Sequence, residues 1–81
     1  MFIRIRKSGA IMDYTVRFVW DDEANVWYSY SDDVPITLES GNIDTLISRV
    51  REALPEMIEL NHLDKPQNIY YLIHEREGVV V

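Results

Sequence analysis

Acidic side chains form two clusters in this 81-residue sequence that could do chemistry. The first comprises Asp21, Asp22 and Glu23, and the second comprises Asp32 and Asp33. Clustered carboxylates of this kind hold the ions of two-metal nucleases, which lie about 3.5–4 Å apart. The predicted strand at residues 26–31, however, separates the two clusters by roughly 20 Å at about 3.3 Å per residue. The pattern therefore favours acidic turn residues over a shared metal site.

The other polar residues carry no motif for catalysis or metal binding. His62 and His74 each lack a second histidine at ligand spacing. Ser29, Ser31 and Ser40 match no nucleophile motif, and the three glycines form no phosphate loop. The sequence contains no cysteine, which excludes disulfides, thiolate catalysis and cysteine-ligated zinc. We therefore expect a protein that is not an enzyme and that uses no cofactor or metal ion.

The composition predicts one small acidic domain. A chain of 81 residues builds a single core, and a hydrophobic fraction of 47% is typical of a globular protein. The net charge of −6 is uneven, since residues 1–20 carry +3 and residues 21–81 carry −9. An acidic body repels phosphates and attracts basic proteins, so a basic protein partner is favoured over nucleic acid.

No apolar run reaches the ~18–20 residues that a membrane span needs. The basic N-terminus also lacks the continuous apolar stretch of a secretory signal. We therefore expect a cytoplasmic protein.

Large aromatic side chains are candidates for a binding surface. Alternation along a strand places Trp27 and Tyr28 on opposite faces of the sheet, so at least one large ring is expected to face outward. Exposed rings on a sheet also stack on single-stranded bases, which is the nucleic-acid alternative. The acidic body disfavours that alternative. We predict that the partner-binding residues are Asp21, Asp22, Trp27, Tyr70 and Leu72.

Three segments in the first half of the chain predict strands. Residues 14–20 are rich in β-branched and aromatic side chains, and residues 26–31 return after a polar turn, which predicts a hairpin. Residues 36–39 alternate, so a third strand is expected with Ile36 and Leu38 facing inward.

The last strand is predicted at residues 69–75. Both of its faces are apolar, so it is expected either to be central in the sheet or to be covered on its second face by another molecule. The apolar tail at residues 78–81 is a further candidate for pairing.

An amphipathic helix is predicted between the third strand and the last one. Asn42 is a good N-cap, and apolar residues recur at spacings of three and four up to a predicted end near Asn61. Pro55 falls inside this pattern, where it removes a backbone donor and crowds the carbonyl of Arg51. We expect either a kink at Pro55 or two abutting helical segments.

Residues 1–12 differ from the rest of the chain. Isoleucines and arginines alternate there until residues 7–9 break the pattern, which is typical of either a flexible basic leader or a short edge strand. Met12 precedes the strongest strand signal and is an alternative start of translation. Residues 13–81 are predicted to form the single domain.

Several of these segments together resemble a known family. The first strand ends in Trp20-Asp21-Asp22-Glu23-Ala24, and Val26-Trp27 opens the next strand. Ser31-Asp32-Asp33-Val34-Pro35 and the amphipathic helix from Asn42 follow. These features span about 50 of the 81 residues and resemble the HicB-like antitoxin superfamily, in particular its short uncharacterised bacterial domains.

The resemblance implies a partial ribonuclease-H-like fold. We expect the α+β class: a three-stranded antiparallel meander, one amphipathic helix packed on one face, and a last strand beside the first. HicB antitoxins cover the surface of a small basic toxin that cleaves mRNA, and many of the short domains form dimers. The resemblance thus implies a non-catalytic protein-interaction domain that neutralises a small basic toxin or self-associates, with a dimer favoured. The alternatives are a degenerate ribonuclease-H-like hydrolase and a nucleic-acid-binding module.

Overall fold

A computed structural model describes residues 12–74 of the chain. The elements are β1 (Asp13–Asp21), β2 (Val26–Tyr30), β3 (Glu39–Ser40), α1 (Ile43–Leu60) and β4 (Asn68–His74). The four strands form one mixed sheet in the order β3-β2-β1-β4. β1 is antiparallel to β2 and parallel to β4, and β2 is antiparallel to β3. The predicted α+β fold, with the last strand beside the first, is confirmed.

Two predictions fall outside the described residues. Of the leader at residues 1–12, only Met12 is described, and its carbonyl accepts a hydrogen bond of 2.7 Å from the Gln67 amide. The tail at residues 78–81 also lies outside. The choice between a leader and an extra strand, and the limits of the domain at residues 13–81, stay predictions.

The core lies between the sheet and α1. Tyr14, Val16 and Phe18 alternate along β1 and are buried, as the period of two in that segment requires. They pack in one cluster with the buried helix residues Leu46, Val50 and Leu54 and the loop residues Val34 and Ile36. Because the buried helix residues are spaced by four, one apolar stripe of α1 faces the sheet.

The helix begins and ends where its capping residues predict. The Asn42 side chain accepts a hydrogen bond of 2.9 Å from the Thr45 amide, which satisfies one donor of the first turn. Asn61 is the C-cap. Pro55 lies inside a single continuous helix, so the predicted alternative of two abutting segments was wrong.

The third strand is shorter than predicted. A strand was expected at residues 36–39, whereas β3 contains only Glu39 and Ser40. The buried Ser29 hydroxyl explains the difference, because it donates to the Ile36 carbonyl (3.2 Å) and accepts from the Leu38 amide (3.0 Å). The Ser29 amide still donates to the Leu38 carbonyl at 2.9 Å, so the hydroxyl takes over one bond of the Ser29–Leu38 pair. The predicted inward direction of Ile36 and Leu38 is confirmed.

Within residues 12–74 the last strand lies at an edge of the sheet, beside β1. The backbone of α1 runs closest to β2 and β3, at the other side of the sheet. The helix therefore covers β2 and β3 better than it covers β4.

Candidate interaction surface

The first acidic cluster forms the turn of the β1–β2 hairpin. The Asp21 carboxylate accepts hydrogen bonds from the amides of Glu23 (3.0 Å) and Ala24 (3.3 Å), and its carbonyl accepts one from Asn25 (2.8 Å). The Asp22 carboxylate accepts a hydrogen bond of 2.9 Å from the indole N–H of Trp20. Asn25 takes a positive φ of 60°, which asparagine tolerates better than most residues. These contacts are those of a capped turn.

The second acidic cluster lies at the opposite end of β2 and holds the following loop against β1. The Asp33 carboxylate accepts a hydrogen bond of 2.9 Å from the Thr15 amide. The Ser31 hydroxyl donates to the Thr15 carbonyl at 2.6 Å and accepts from the amides of Asp33 and Val34. Among residues 12–74, no group of three or more histidine, aspartate or glutamate side chains could hold a metal ion.

The predicted partner-binding residues occupy three separate places. Asp21 and Asp22 lie at the hairpin turn. Trp27 lies on the helix-covered face, where it packs against the core and contacts Trp20 edge to face, with ring centroids 5.6 Å apart. Tyr70 and Leu72 lie on the opposite face of the sheet and are 50% and 42% exposed. The structure therefore brings Tyr70 and Leu72 together and separates both of them from Trp27.

The face of the sheet that α1 does not cover is rich in apolar and aromatic side chains. We call it the open face. The strand register places Arg17 between Tyr30 of β2 and Leu72 of β4. Tyr30 is stacked on Tyr28, with ring centroids 6.2 Å apart. Tyr30, Tyr70 and Leu72 are exposed, so this face presents large apolar groups to a partner.

The edge of the sheet at β4 is long and uncharged. No Asp, Glu, Lys or Arg occurs between Asn68 and His74. Ile73, which points to the opposite side from Leu72, is 52% exposed. The other edge, β3, has two residues, of which Glu39 is charged. Charged side chains and short strands are common protections of sheet edges, and β4 has neither.

A groove of about 540 Å³ lies between the C-terminal half of α1 and β4. It exists because α1 runs closest to β2 and β3, which leaves the side chains of β4 that face the helix partly uncovered. Ile69 and Tyr71 of β4 line this groove.

The surroundings of Tyr14 raise the pKa of its side chain. Burial raises the pKa of its phenol above the ordinary value of 10.0, and the negative charges of Asp64 and Asp33 raise the pKa further. The phenol is therefore a stable hydrogen-bond donor at neutral pH, and we assign it a structural role.

A comparison with family models decides where this protein belongs. The model described as "Domain of unknown function (DUF1902)" matches residues 13–76, which includes all four strands and the helix that the structure describes. The chain belongs to the DUF1902 family.

One solved structure is similar to this DUF1902 domain over most of its length. It is a crystal structure of a hypothetical protein from the extremely thermophilic bacterium Thermus thermophilus, with a TM-score of 0.68 and 27% sequence identity. The match covers 85% of this chain and 99% of that chain. No curated protein matches the sequence. These comparisons establish the family and the fold.

Sequence reasoning missed three features of the DUF1902 surface. Tyr30, Ile73 and the α1–β4 groove were not among the predicted binding features. The alternation of residues 26–31 already placed Tyr30 on the same face as Tyr28, so that signal was present. The groove depends on the lateral position of α1 over the sheet, which no local pattern specifies.

No helix among residues 12–74 has the length and apolar character needed to span a membrane.

Proposed function

We propose that this DUF1902 domain is a non-catalytic protein-interaction module, similar to HicB-like antitoxins, that associates with a second copy of itself through β4. The observation that supports this proposal is the character of β4, which is an edge strand of the sheet that residues 12–74 form and has seven residues without Lys, Arg, Asp or Glu. Tyr70 and Leu72 are exposed on one face of this strand, and Ile73 is exposed on the other.

Pairing of two β4 strands would satisfy backbone groups and bury apolar area together. The outward N–H and C=O groups of an edge strand are a template for another strand. Full burial of a leucine or isoleucine side chain contributes about 1.5–3 kcal/mol, so the half-exposed Leu72 and Ile73 each offer roughly 1 kcal/mol per copy. The pairing is symmetric, and both copies contribute the same strand.

Charge also favours β4 as the contact between two copies. Residues 12–74 contain twelve acidic and four basic side chains, a net charge of −8. Two such bodies repel each other wherever carboxylates meet. Contact along β4 avoids this, because no carboxylate lies between Asn68 and His74.

The test is the mass of the full chain in solution, measured by sedimentation for the wild type and for Leu72→Asp. We expect a dimer for the wild type and a monomer for Leu72→Asp, because the variant places a carboxylate on each side of the proposed seam. Leu60→Asp is the matched control, since Leu60 is 67% exposed at the end of α1 and lies outside β4. It should remain a dimer. A monomeric wild type, or a dimeric Leu72→Asp variant with a native circular dichroism spectrum, would contradict the proposal.

A small basic protein is a second candidate partner, as the HicB-like resemblance implies. The acidic excess of the described residues favours it. Affinity purification of the tagged chain from its native host should recover one small basic protein at low salt and less of it at high salt. Recovery of the chain without such a protein at low salt would remove this candidate.

The hydrolase and nucleic-acid alternatives have less support. The carboxylates of Asp21 and Asp33 already accept backbone hydrogen bonds at turns. We expect no change in melting temperature with magnesium or manganese, and stabilisation by either ion would revive the hydrolase alternative. We also expect no binding of single-stranded nucleic acid at low salt.

A further inference from the structure

The α1–β4 groove has three boundaries. Leu54 and Ile58 of the helix line one side, and Ile69 and Tyr71 of β4 line the other. Leu63 and Pro66, in the connection after the helix, line one end. Its volume of about 540 Å³ lies within the range of ~300–1,000 Å³ that is typical of small-molecule sites.

Backbone hydrogen bonds hold in place the end of the groove that Leu63 and Pro66 line. The Leu63 amide donates to the Ile58 carbonyl at 2.9 Å, and the His62 amide donates to the Glu59 carbonyl at 3.1 Å. This pair of bonds is a Schellman motif, which fixes the path of the chain as it leaves the helix. The Tyr14 hydroxyl holds the next residue, Asp64, by its carbonyl. The groove is therefore largely formed before any ligand arrives.

Two basic side chains line this mostly apolar groove. Arg51 and Lys65 are half of the four basic side chains among residues 12–74, and one carboxylate, that of Glu59, accompanies them. The guanidinium carbon of Arg51 lies 6.0 Å from the centroid of the Tyr71 ring, within reach of a cation–π contact. Within the part of the chain that the structure describes, neither Arg51 nor Lys65 forms an ion pair. The groove thus combines an apolar lining with a local excess of positive charge on an acidic protein.

We propose that this groove binds a small amphipathic carboxylate, with its apolar body against Ile58 and Tyr71 and its carboxylate beside Arg51 or Lys65. Charge favours this class of ligand, because the two basic groups attract a carboxylate and repel a cationic amphiphile. The site goes beyond the proposed function: it lies within one chain, on the face of the sheet opposite to Tyr70 and Leu72.

The test is an amide-resolved NMR titration of the full chain with decanoate below its micellisation concentration. Decanol and decylamine provide the same apolar tail with a neutral and a cationic head. We expect saturable binding in the order decanoate, decanol, decylamine. The largest shift changes are expected at Ile58, Leu63 and Tyr71.

Three variants separate the charge effect from apolar binding. Arg51→Gln and Lys65→Gln should each weaken decanoate binding by about two- to fivefold, as expected for exposed ion pairs, and leave decanol binding unchanged. Arg49→Gln is the matched control, because Arg49 is an exposed helix residue that does not line the groove. It should bind decanoate like the wild type.

Equal binding of decanoate and decylamine, shift changes confined to the open face, or no saturable binding by a folded chain would overturn the proposal. A monomeric wild type would contradict self-association through β4 and leave this result unaffected, since one chain forms the whole groove.

Discussion

The hydroxyl group of Tyr14 donates a hydrogen bond of 2.6 Å to the backbone carbonyl of Asp64, fifty residues further along the chain. This contact joins β1 to the connection between α1 and β4. The Tyr14 side chain is only 6% exposed, so its ring belongs to the core while its hydroxyl holds a loop. One side chain thereby couples the core to the segment that carries Leu63 and Pro66 at the groove.

Removal of this hydroxyl should destabilise the domain. Tyr14→Phe keeps the ring and leaves the Asp64 carbonyl without its partner, so we expect a loss of about 1 kcal/mol in the free energy of unfolding. Urea denaturation measures the change. Tyr30→Phe is the control, because Tyr30 is exposed on the open face, and it should change stability by less than about 0.5 kcal/mol. Equal stability of the two variants would show that the Asp64 contact contributes nothing.

The raised pKa of Tyr14 predicts a pH dependence. Below the ordinary tyrosine pKa of 10.0 the phenol is protonated in both the folded and the unfolded chain, so its contribution is fully present. As the pH rises from 10 through the folded pKa, the unfolded chain loses this proton first, and the free energy of unfolding falls. Tyr14→Phe should show a smaller fall over the same range. Parallel stability curves for the two proteins would count against the assignment.

Ser29 should be the most important polar side chain of the core. It is fully buried, and Ser29→Ala would leave the Leu38 amide and the Ile36 carbonyl without their partner. We expect a loss of about 1–3 kcal/mol in urea denaturation. Ser48→Ala, at an exposed position of α1, should be neutral or slightly stabilising, because alanine has the higher helix propensity. A neutral Ser29→Ala would mean that the loop rearranges to satisfy these groups.

Short-range patterns were enough to predict most elements of the fold. The alternation in residues 14–20 identified β1 and its buried face, and Asn42 and Asn61 marked the helix ends. Ser29 shows where this reasoning stops, since nothing near it in the sequence indicates that its hydroxyl bonds to the Ile36 carbonyl and the Leu38 amide. The pattern predicts a regular strand over residues 36–39, whereas β3 contains only Glu39 and Ser40 and the Ser29 side chain bonds to the residues before it.

The candidate site was predictable only in part, for a related reason. Tyr70 and Leu72 share one face because strands alternate. Which face of β4 the helix covers, and how completely, depends on the lateral position of α1. Both faces of this strand are apolar, so the pattern left the choice open. The charges at the hairpin turn were recognised as turn residues, and their hydrogen bonds agree with that interpretation.

His62 occupies a position that favours glycine. It follows the C-cap of α1 with a φ of 56°, in the left-handed region, where a side chain costs about 1–2 kcal/mol. His62→Gly should therefore stabilise the domain by about 1 kcal/mol in thermal or urea denaturation. His62→Ala separates this effect from loss of the imidazole ring, because alanine keeps the backbone cost, and it should not stabilise. Equal gains in both variants would assign the effect to the ring.

Pro55 lies inside α1 and should weaken it. Proline cannot donate the backbone hydrogen bond to the Arg51 carbonyl, and its ring crowds that group. Pro55 is exposed, so Pro55→Ala should restore the bond without opening a cavity. We expect a gain of roughly 1–3 kcal/mol in the free energy of unfolding.

Pro55 also lines the α1–β4 groove, so the same substitution tests whether the proline is needed for packing there. Glu56→Ala, at the neighbouring exposed position, should alter stability by less than about 0.5 kcal/mol and controls for the general effect of alanine in this turn. If Pro55→Ala instead loses more than about 1 kcal/mol while Glu56→Ala is neutral, the proline is required for packing at the groove. The local shape of the helix would then depend on packing at the groove. The prediction that the restored hydrogen bond stabilises the domain would be wrong.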